Sequence, residues 1–286
     1  MSTLLASFED QSQQVHIELW EENHPVKPHH HDDAVTPERK EAVVIGGGAR
    51  CWFEGPSTPW GSLLTASYPR TGLDAWLASS KDHSHSEPHG LTVWCLSLSI
   101  DGMTSGDLND GTNIIVRRAE SAKTNHPKIS VSLSDEEREN YVLISGGAHV
   151  KWSSNEPGNL LTASYPSSSH TWTARSKDHG IPSPAVLESY LVALRHELPI
   201  RSQQKYVLVD FESEESYPAK NHPTQTTKML PDFALTGGGA VAHWGSNGNM
   251  LWRLEPGADS FTAASKDHDL PDPCTITTYS VGIRLV

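Results

Sequence analysis

The sequence predicts an all-β protein built from three tandem, homologous, β-sandwich-like units that pack with pseudo-threefold symmetry. Three observations support this prediction. Short motifs recur three times in the same order, each recurrence closes with an alternating apolar pattern, and no amphipathic helical stripe of useful length interrupts them. The 286 residues suffice for one to three domains with a buried core. We place the units at residues 1–102, 103–199 and 200–286.

Four landmarks recur in each unit. They are an Asn-His-Pro tripeptide, a knot of two or three glycines ending in Ala, a Trp that follows the knot, and a Ser-Lys-Asp-His tetrapeptide. The tripeptides lie at 23–25, 125–127 and 221–223, the knots at 46–49, 146–148 and 237–240, the tryptophans at 52, 152 and 244, and the tetrapeptides at 80–83, 176–179 and 265–268. Because several landmarks keep one order, chance similarity is excluded.

The strands follow from the pattern between these landmarks. In the second unit we expect strands to start near Asn113, Tyr141, Asn159 and Val186, with matching strands in the other units. Each unit ends in an alternating segment (94–100, 190–196 and 279–285) that is typical of a half-buried strand. Segment 184–198 has helix-forming residues, but its β-branched counterpart 275–283 favours strand for both.

Glycines and linkers complete the predicted fold. The knots should serve close backbone approach or a bulge, since no Lys-Ser/Thr follows and no helix opens there, as a phosphate loop would need. Residues 101–112 form a polar link between the first two units. The link after residue 199 is short, which favours direct packing of the units over a string of separate lobes. Segment 28–37, specific to the first unit, is expected to be a polar surface loop.

Composition excludes several functions. With 35 acidic and 22 basic residues the chain carries a net charge of −13, which argues against nucleic-acid partners and anionic membrane surfaces. Membrane insertion and a signal peptide are not expected, because no long apolar run or basic leader is present. Three sparse cysteines indicate buried thiols rather than a disulfide framework. Together these features predict a cytoplasmic protein.

The recurring histidines leave two interpretations open. Histidines from the three units could converge and bind a metal, since imidazole suits transition metals. Alternatively, each Asn-His-Pro is a rigid turn, and the Asp and His of each Lys-Asp-His satisfy local backbone groups. Adjacent Asp and His point to opposite faces of a strand and chelate poorly, so we expect no metal and no cofactor. Lys81, Lys177 and Lys266 are expected near the surface.

Aromatic and charged residues in the middle of each unit are the candidate ligand contacts. The first two units share Leu-Leu-Thr-Ala-Ser-Tyr-Pro followed by Trp, whereas residues 250–256 of the third unit read Met-Leu-Trp-Arg-Leu-Glu-Pro. We expect Trp252 and Leu254 on one strand face and Arg253 and Glu255 on the other. Indole rings provide platforms for sugar faces, and guanidinium groups bind oxyanions. The candidate set is Tyr68, Trp76, Tyr165, Trp172, Trp252, Arg253 and Glu255.

In organisation the chain resembles threefold, disulfide-free cytosolic lectins, which are acidic, all-β and rich in Trp. The resemblance implies a non-catalytic glycan-binding protein with up to three related sites, in which repetition raises avidity. The alternative is a cofactor-independent enzyme, a cyclase or isomerase acting on a hydrophobic small molecule at one site where the units diverge. The partner is therefore a glycan or a small-molecule ligand. Equivalent sites in the three units would favour a binding protein, and a single divergent site would favour an enzyme.

Overall fold

A computed structural model describes residues 2–53, 62–83, 86–153, 157–201 and 203–286. These residues form twenty strands and two short helices. In chain order the elements are β1 Thr3–Glu9, β2 Val15–Lys27, β3 His30–Val35, β4 Val43–Trp52, β5 Leu63–Pro69, β6 Trp76–Lys81, β7 His89–Ile100, α1 Ser105–Leu108, β8 Ile114–Glu120, β9 Lys128–Ser132, α2 Asp135–Asn140, β10 Tyr141–Lys151, β11 Leu160–Ser168, β12 Thr171–Lys177, β13 Val186–Arg195, β14 Glu197–Ile200, β15 Gln203–Glu215, β16 Thr224–Lys228, β17 Ala234–Ala242, β18 Asn249–Pro256, β19 Ser260–Asp267 and β20 Ile276–Leu285. The all-β prediction is confirmed.

The strands form three antiparallel sheets. Their strand orders are β1-β2-β7-β4-β18-β19-β16, β3-β6-β5-β10-β13-β8 and β14-β15-β20-β17-β11-β12-β9. Each sheet contains strands from two of the units that the sequence defines. The sheets therefore cross the predicted boundaries at 102 and 199 rather than stopping there.

Three short pairings join the units within these sheets. We call them the first seam (β5 with β10), the second seam (β11 with β17) and the third seam (β18 with β4). Each seam consists of two register pairs, such as Ala148 opposite Ser67 in the first. The seams link unit one to two, two to three, and three back to one. The candidate residues Tyr68, Tyr165, Arg253 and Glu255 all lie on seam strands.

Most strand positions match the sequence prediction, but two environments differ. The strands expected to start near Asn113, Tyr141, Asn159 and Val186 begin at most one residue away. Two of the three closing strands are not half-buried: β7 and β13 are buried on both faces, and each lies inside its sheet, whereas β20 keeps partly exposed residues alternating with buried ones towards its ends. Segment 28–37 is only partly a loop, because residues 30–35 form β3, which pairs with β6, while Asp32 and Asp33 remain exposed as expected.

The core is continuous across the units. Two large clusters of buried apolar side chains each draw members from all three, so the units pack directly against one another. One cluster joins Trp94, Ile144 and Ile283. The other joins Leu64, Ala148 and Leu251. Neither described helix has the length and apolar character that a membrane span requires.

The glycine knots permit close approach of backbone and aromatic rings. A Cβ atom on the glycine two residues before the Ala of each knot would collide with a ring carbon, at 2.6 Å for Gly47 and Trp76, 2.4 Å for Gly146 and Trp172, and 2.3 Å for Gly238 and Phe261. A β-bulge precedes each knot. The predicted structural role of the knots is confirmed, and it depends on space rather than on a positive φ angle.

Candidate functional site

Two of the predicted ligand-contacting tryptophans belong to the core. Trp76 and Trp172 are 1% and 0% exposed and cover the knot glycines. Their indole Nε1 groups donate to Ser67 Oγ and Ser164 Oγ at 2.9 and 3.0 Å. Since their rings offer no surface to a ligand, we reassign both from binding platforms to core side chains.

The same contact explains part of the divergence in the third unit. Leu254 takes the register position of Ser67 and Ser164, and Phe261 takes that of Trp76 and Trp172. Phe has no N–H to donate, so a hydroxyl partner is not required. Leu254 and Phe261 are 3% and 0% exposed and belong to one apolar cluster. A hydrogen-bonded Ser–Trp pair is thus replaced by an apolar pair.

A cavity of about 350 Å³ lies beside the first seam. We call it the first-seam cavity, and its lining is Asp32, Asp33, Ser79, His149, Val150, Lys151 and Trp152. His149 Nδ1 donates to Glu188 Oε2 at 2.9 Å, and Lys151 donates to Glu188 Oε1 at 2.9 Å. Burial alone would raise the pKa of Glu188, but the hydrogen bonds from Lys151, Tyr190 and His149 hold it below its usual value.

A second cavity, also about 350 Å³, lies beside the second seam. This second-seam cavity is lined by His126, Pro127, Lys128, Thr162, Arg175, Ser176, Ala242, His243 and Trp244. Each cavity has one wall formed by the segment that follows a glycine knot. This segment is Val150-Lys151-Trp152 in the first-seam cavity and Ala242-His243-Trp244 in the second-seam cavity. Both combine a partly exposed indole with hydroxyl, imidazole and charged groups.

Trp152 and Trp244 border the cavities, although the sequence pattern did not place them in the candidate set. The sequence contained their signal, since each recurs shortly after a knot. It was ambiguous because a repeated Trp is equally typical of a core residue. The pattern alone could not show that the ring after the knot stays partly exposed while the ring facing the knot is buried.

Tyr68 and Tyr165 lie one contact away from the cavities. The Tyr68 ring stacks on His149, with centroids 4.8 Å apart and planes 5° apart. Tyr165 OH accepts from Arg175 Nη2 at 3.2 Å. Each tyrosine thus positions a side chain that lines its cavity. The structure brings these two predicted residues to corresponding places, with a supporting role.

The remaining candidates meet at the third seam. Glu255 Oε2 accepts from Arg253 Nε at 2.7 Å and from Arg50 Nη1 at 3.2 Å. Arg253 and Glu255 share a strand side as predicted. Trp252 does not share a side with Leu254, because a bulge between Leu251 and Arg253 makes Trp252 the extra residue. Trp252 packs instead against a small cluster formed by Leu63, Leu160 and Met250.

The lysines of the repeated tetrapeptide are buried, so the prediction that they lie near the surface is wrong. Lys81, Lys177 and Lys266 are 5%, 3% and 2% exposed. The ammonium groups of Lys81 and Lys177 lie 4.8 Å from the ring centroids of Trp152 and Trp244, where cation–π attraction offsets part of the desolvation. Burial lowers the pKa of all three, that of Lys266 to about 8.

The aspartates of the tetrapeptide cap backbone groups, as the sequence predicted. Asp178 Oδ2 accepts from the Ser183 N–H at 3.0 Å, and Asp267 Oδ2 accepts from the Asp272 N–H at 3.1 Å. Their second oxygens contact the Asn-His-Pro histidines, with His126 Nε2 at 3.0 Å from Asp178. The two recurring motifs therefore meet. In the first unit His29, not His24, approaches the equivalent aspartate.

The tetrapeptide histidines do converge. The rings of His83, His179 and His268 are buried, with centroids 5.2–5.6 Å apart in edge-to-face contact. The two nitrogens of His83 face the carbonyl oxygens of Pro157 and His179, and burial lowers the pKa of His83 to about 4. Within the described ranges, no three or more His, Cys, Asp or Glu side chains are arranged to hold a metal ion.

The three cysteines have no part in either cavity. Cys51, Cys95 and Cys274 are buried free thiols. Burial raises the pKa of Cys51 to about 12 and those of the other two to about 11, which keeps the thiols protonated.

Comparison of the chain with known families finds no matching family model, and comparison with curated proteins finds no significant match.

Proposed function

We propose that the protein is a non-catalytic, lectin-like glycan-binding protein with related sites at its seams. The observation that supports this most directly is the pair of cavities at the first and second seams. Each is bordered by the indole that follows a glycine knot, Trp152 or Trp244. An aromatic ring beside polar groups can bind a sugar's apolar face while those groups bond its hydroxyls.

In this proposal the three units at 1–102, 103–199 and 200–286 are homologous and surround a pseudo-threefold axis. Two features support the arrangement: the seams link the units in a cycle, and His83, His179 and His268 meet centrally. The third seam would hold a divergent site at Trp252, Arg253 and Glu255. Each unit thereby contributes one wall to each of two sites.

A glycan array followed by calorimetric titration tests the proposal. Trp152→Ala and Trp244→Ala should each lower the number of sites for an array-selected glycan by one, because each removes one stacking platform. Trp20→Ala is the matched control, since Trp20 is also partly exposed but lines neither cavity. Thermal melting verifies that the variants fold. An array without binders, or titrations unchanged in both variants, would refute the proposal.

The second candidate remains a cofactor-independent isomerase or cyclase with a single site. The observation that favours it is His149, whose Nδ1 is fixed by Glu188 while its ring lines a cavity. The corresponding residues of the other units are Arg50 and Val241, so this His–Glu pair is a feature of the first seam. The polar lining nevertheless suits a glycan better than a hydrophobic substrate.

Deuterium exchange distinguishes the enzyme from the binding protein. A base at His149 Nε2 would take a C–H proton next to a carbonyl and return it to the same carbon or another carbon of the enolate. NMR in D₂O with a panel of apolar ketones would then show protein-dependent exchange that His149→Gln abolishes. Exchange that is absent, or equal in wild type and variant, rejects this candidate.

A further inference from the structure

We propose that the second-seam cavity selects an acidic saccharide, one bearing a carboxylate or sulfate group, and that Lys128 and Arg175 provide the selectivity. This inference rests on the proposed function and names the ligand class of one of its sites. The shared chemistry is an oxyanion on a sugar. A guanidinium matches both carboxylate and sulfate geometry, and an ammonium adds a mobile point charge.

The arrangement of the two cations supports the proposal. Lys128 on β9 and Arg175 on β12 are register partners, so their two positive charges lie side by side on adjacent strands. Like charges in this position are unfavourable unless an anion lies near both. In the third unit the corresponding pair is Thr224 and Ala264, which carries no charge. The like-charged pair is therefore a local feature of this cavity and not a requirement of the fold.

Lys128 and Arg175 are without a carboxylate partner in the described ranges of the chain. Among the described residues no Asp or Glu lies within ion-pair distance of Lys128 or Arg175. Among the described residues, Arg175 Nε is buried without a hydrogen-bond partner, and its Nη2 group donates to the Tyr165 hydroxyl, which carries no negative charge to offset the guanidinium as a carboxylate would. Asp178 is close to the wall, but its oxygens already accept from His126 and the Ser183 N–H.

The first-seam cavity shows the opposite balance. Its wall contains the exposed carboxylates Asp32 and Asp33, and its cation Lys151 contacts Glu120 and Glu188 at 2.6 and 2.9 Å. Ser79 stands where the second-seam cavity has Arg175. In a chain with a net charge of −13, a cavity with two cations that none of the described carboxylates pairs with is a specific feature. The two cavities should therefore prefer differently charged sugars.

Titration of the full chain with oligosaccharides of matched length tests the inference. The probes are a glucuronate-containing, a sulfated and a neutral oligosaccharide, which separate carboxylate from sulfate recognition. The double variant Lys128→Thr/Arg175→Ala reproduces the pair of the third unit. We expect it to weaken binding of at least one acidic probe by about tenfold or more, and by a clearly larger factor than binding of the neutral probe. Lys123→Thr, an exposed lysine outside the cavity, is the charge control.

The outcomes separate the inference from the proposed function. Acidic binding that survives in the double variant, or that falls equally in Lys123→Thr, overturns the inference while neutral binding still supports a lectin. Absence of binding by all probes and by the glycan array refutes both. Acidic binding by the wild type should also weaken between 50 and 300 mM salt, because salt screens the attraction between the anion and the charges of Lys128 and Arg175. The double variant lacks both charges, so its acidic binding should not weaken over this range. A salt response that is equal in the two proteins also counts against the inference.

Discussion

Asp178 shows how a single buried carboxylate organises a corner of the molecule. It is 7% exposed and accepts from the Ser183 N–H and from His126. Asp178→Ala leaves the buried N–H without an acceptor, and we expect the free energy of unfolding to fall by about 1–3 kcal/mol. Urea denaturation measures the change. Asp135→Ala is the control, because that side chain is 99% exposed.

The prediction for Asp178 also separates structure from binding. Since Asp178 does not line either cavity, the folded variant should keep its glycan affinity. An unchanged unfolding curve, or binding lost at unchanged stability, would contradict the structural role.

Leu254 and Phe261 provide a second test at the scale of residues. Leu254→Ser alone places a hydroxyl beside an apolar ring and removes buried volume, so we expect a loss of about 2–4 kcal/mol in unfolding free energy. Adding Phe261→Trp supplies the indole N–H that Ser67 and Ser164 accept in the other units. The double variant should recover part of the loss. A strictly additive double-mutant cycle would disprove the exchange of pairs.

The buried lysines mark the limit of reasoning from residue type. A Lys between Ser and Asp normally lies in solvent. Here each lysine is covered at a boundary between units, and Trp152 covers Lys81 from the following unit. Nothing in the local pattern of Lys81 specifies which distant strand lies above it. The aspartates were predictable because their partners are only five residues away.

At the scale of elements, the glycine knots are the tightest constraint. Gly146→Ala places a Cβ 2.4 Å from Trp172 Cδ2 and from the Tyr190 carbonyl oxygen. Because the backbone oxygen cannot move away easily, we expect a loss of more than about 3 kcal/mol. Thermal or urea denaturation measures it. Gly106→Ala is the control, since its nearest atom lies at 3.6 Å, and equal effects of the two substitutions would contradict this explanation.

Strand existence could be predicted much better than strand environment. Alternation placed β10 and β13 within a residue of their observed starts, because period two is a property of the chain itself. Burial of β7 on both faces depends on strands and side chains from elsewhere, and so does the pairing of β3 with β6. Such neighbours are invisible to a local pattern.

At the scale of the whole molecule, buried neutral histidines should make stability depend on pH. Burial lowers the pKa values of His31 and His83 from 6.5 to about 4. Between these values the unfolded chain binds protons that the folded chain does not. The contribution of these two rings to the free energy of unfolding is therefore fully present above about pH 6.5. It falls on acidification towards pH 4, by up to about 1.4 kcal/mol per pH unit for each histidine.

Denaturation with urea at several pH values between 7 and 5 checks this dependence. His83→Gln or His31→Gln should flatten the slope, whereas His243→Gln, which changes an exposed ring, should not. Stability that stays constant over this range in wild type would contradict the burial of neutral rings. Both histidine variants are informative, so the test does not depend on either one alone folding well.

The candidate site could be predicted only in part for the same reason. Tyr68, Tyr165, Arg253 and Glu255 were found because divergence between units is visible in the sequence, and they lie on seam strands. The cavities themselves lie where two units meet. Their far walls, such as Asp33 opposite Trp152, come from segments more than a hundred residues apart.

The cyclic linkage through the seams has a consequence for how many units the architecture can hold. Each unit pairs one strand with each of the other two units. Two units alone would leave strand edges unpaired and open to solvent, whereas with three units the seam strands pair in a cycle. A polypeptide containing only residues 103–199 would find both partners only by recruiting further chains. We expect it to assemble as a trimer or to aggregate, and sedimentation velocity would distinguish these from a folded monomer. In the full chain the six seam strands pair with one another, so the three segments complete one closed set of pairings.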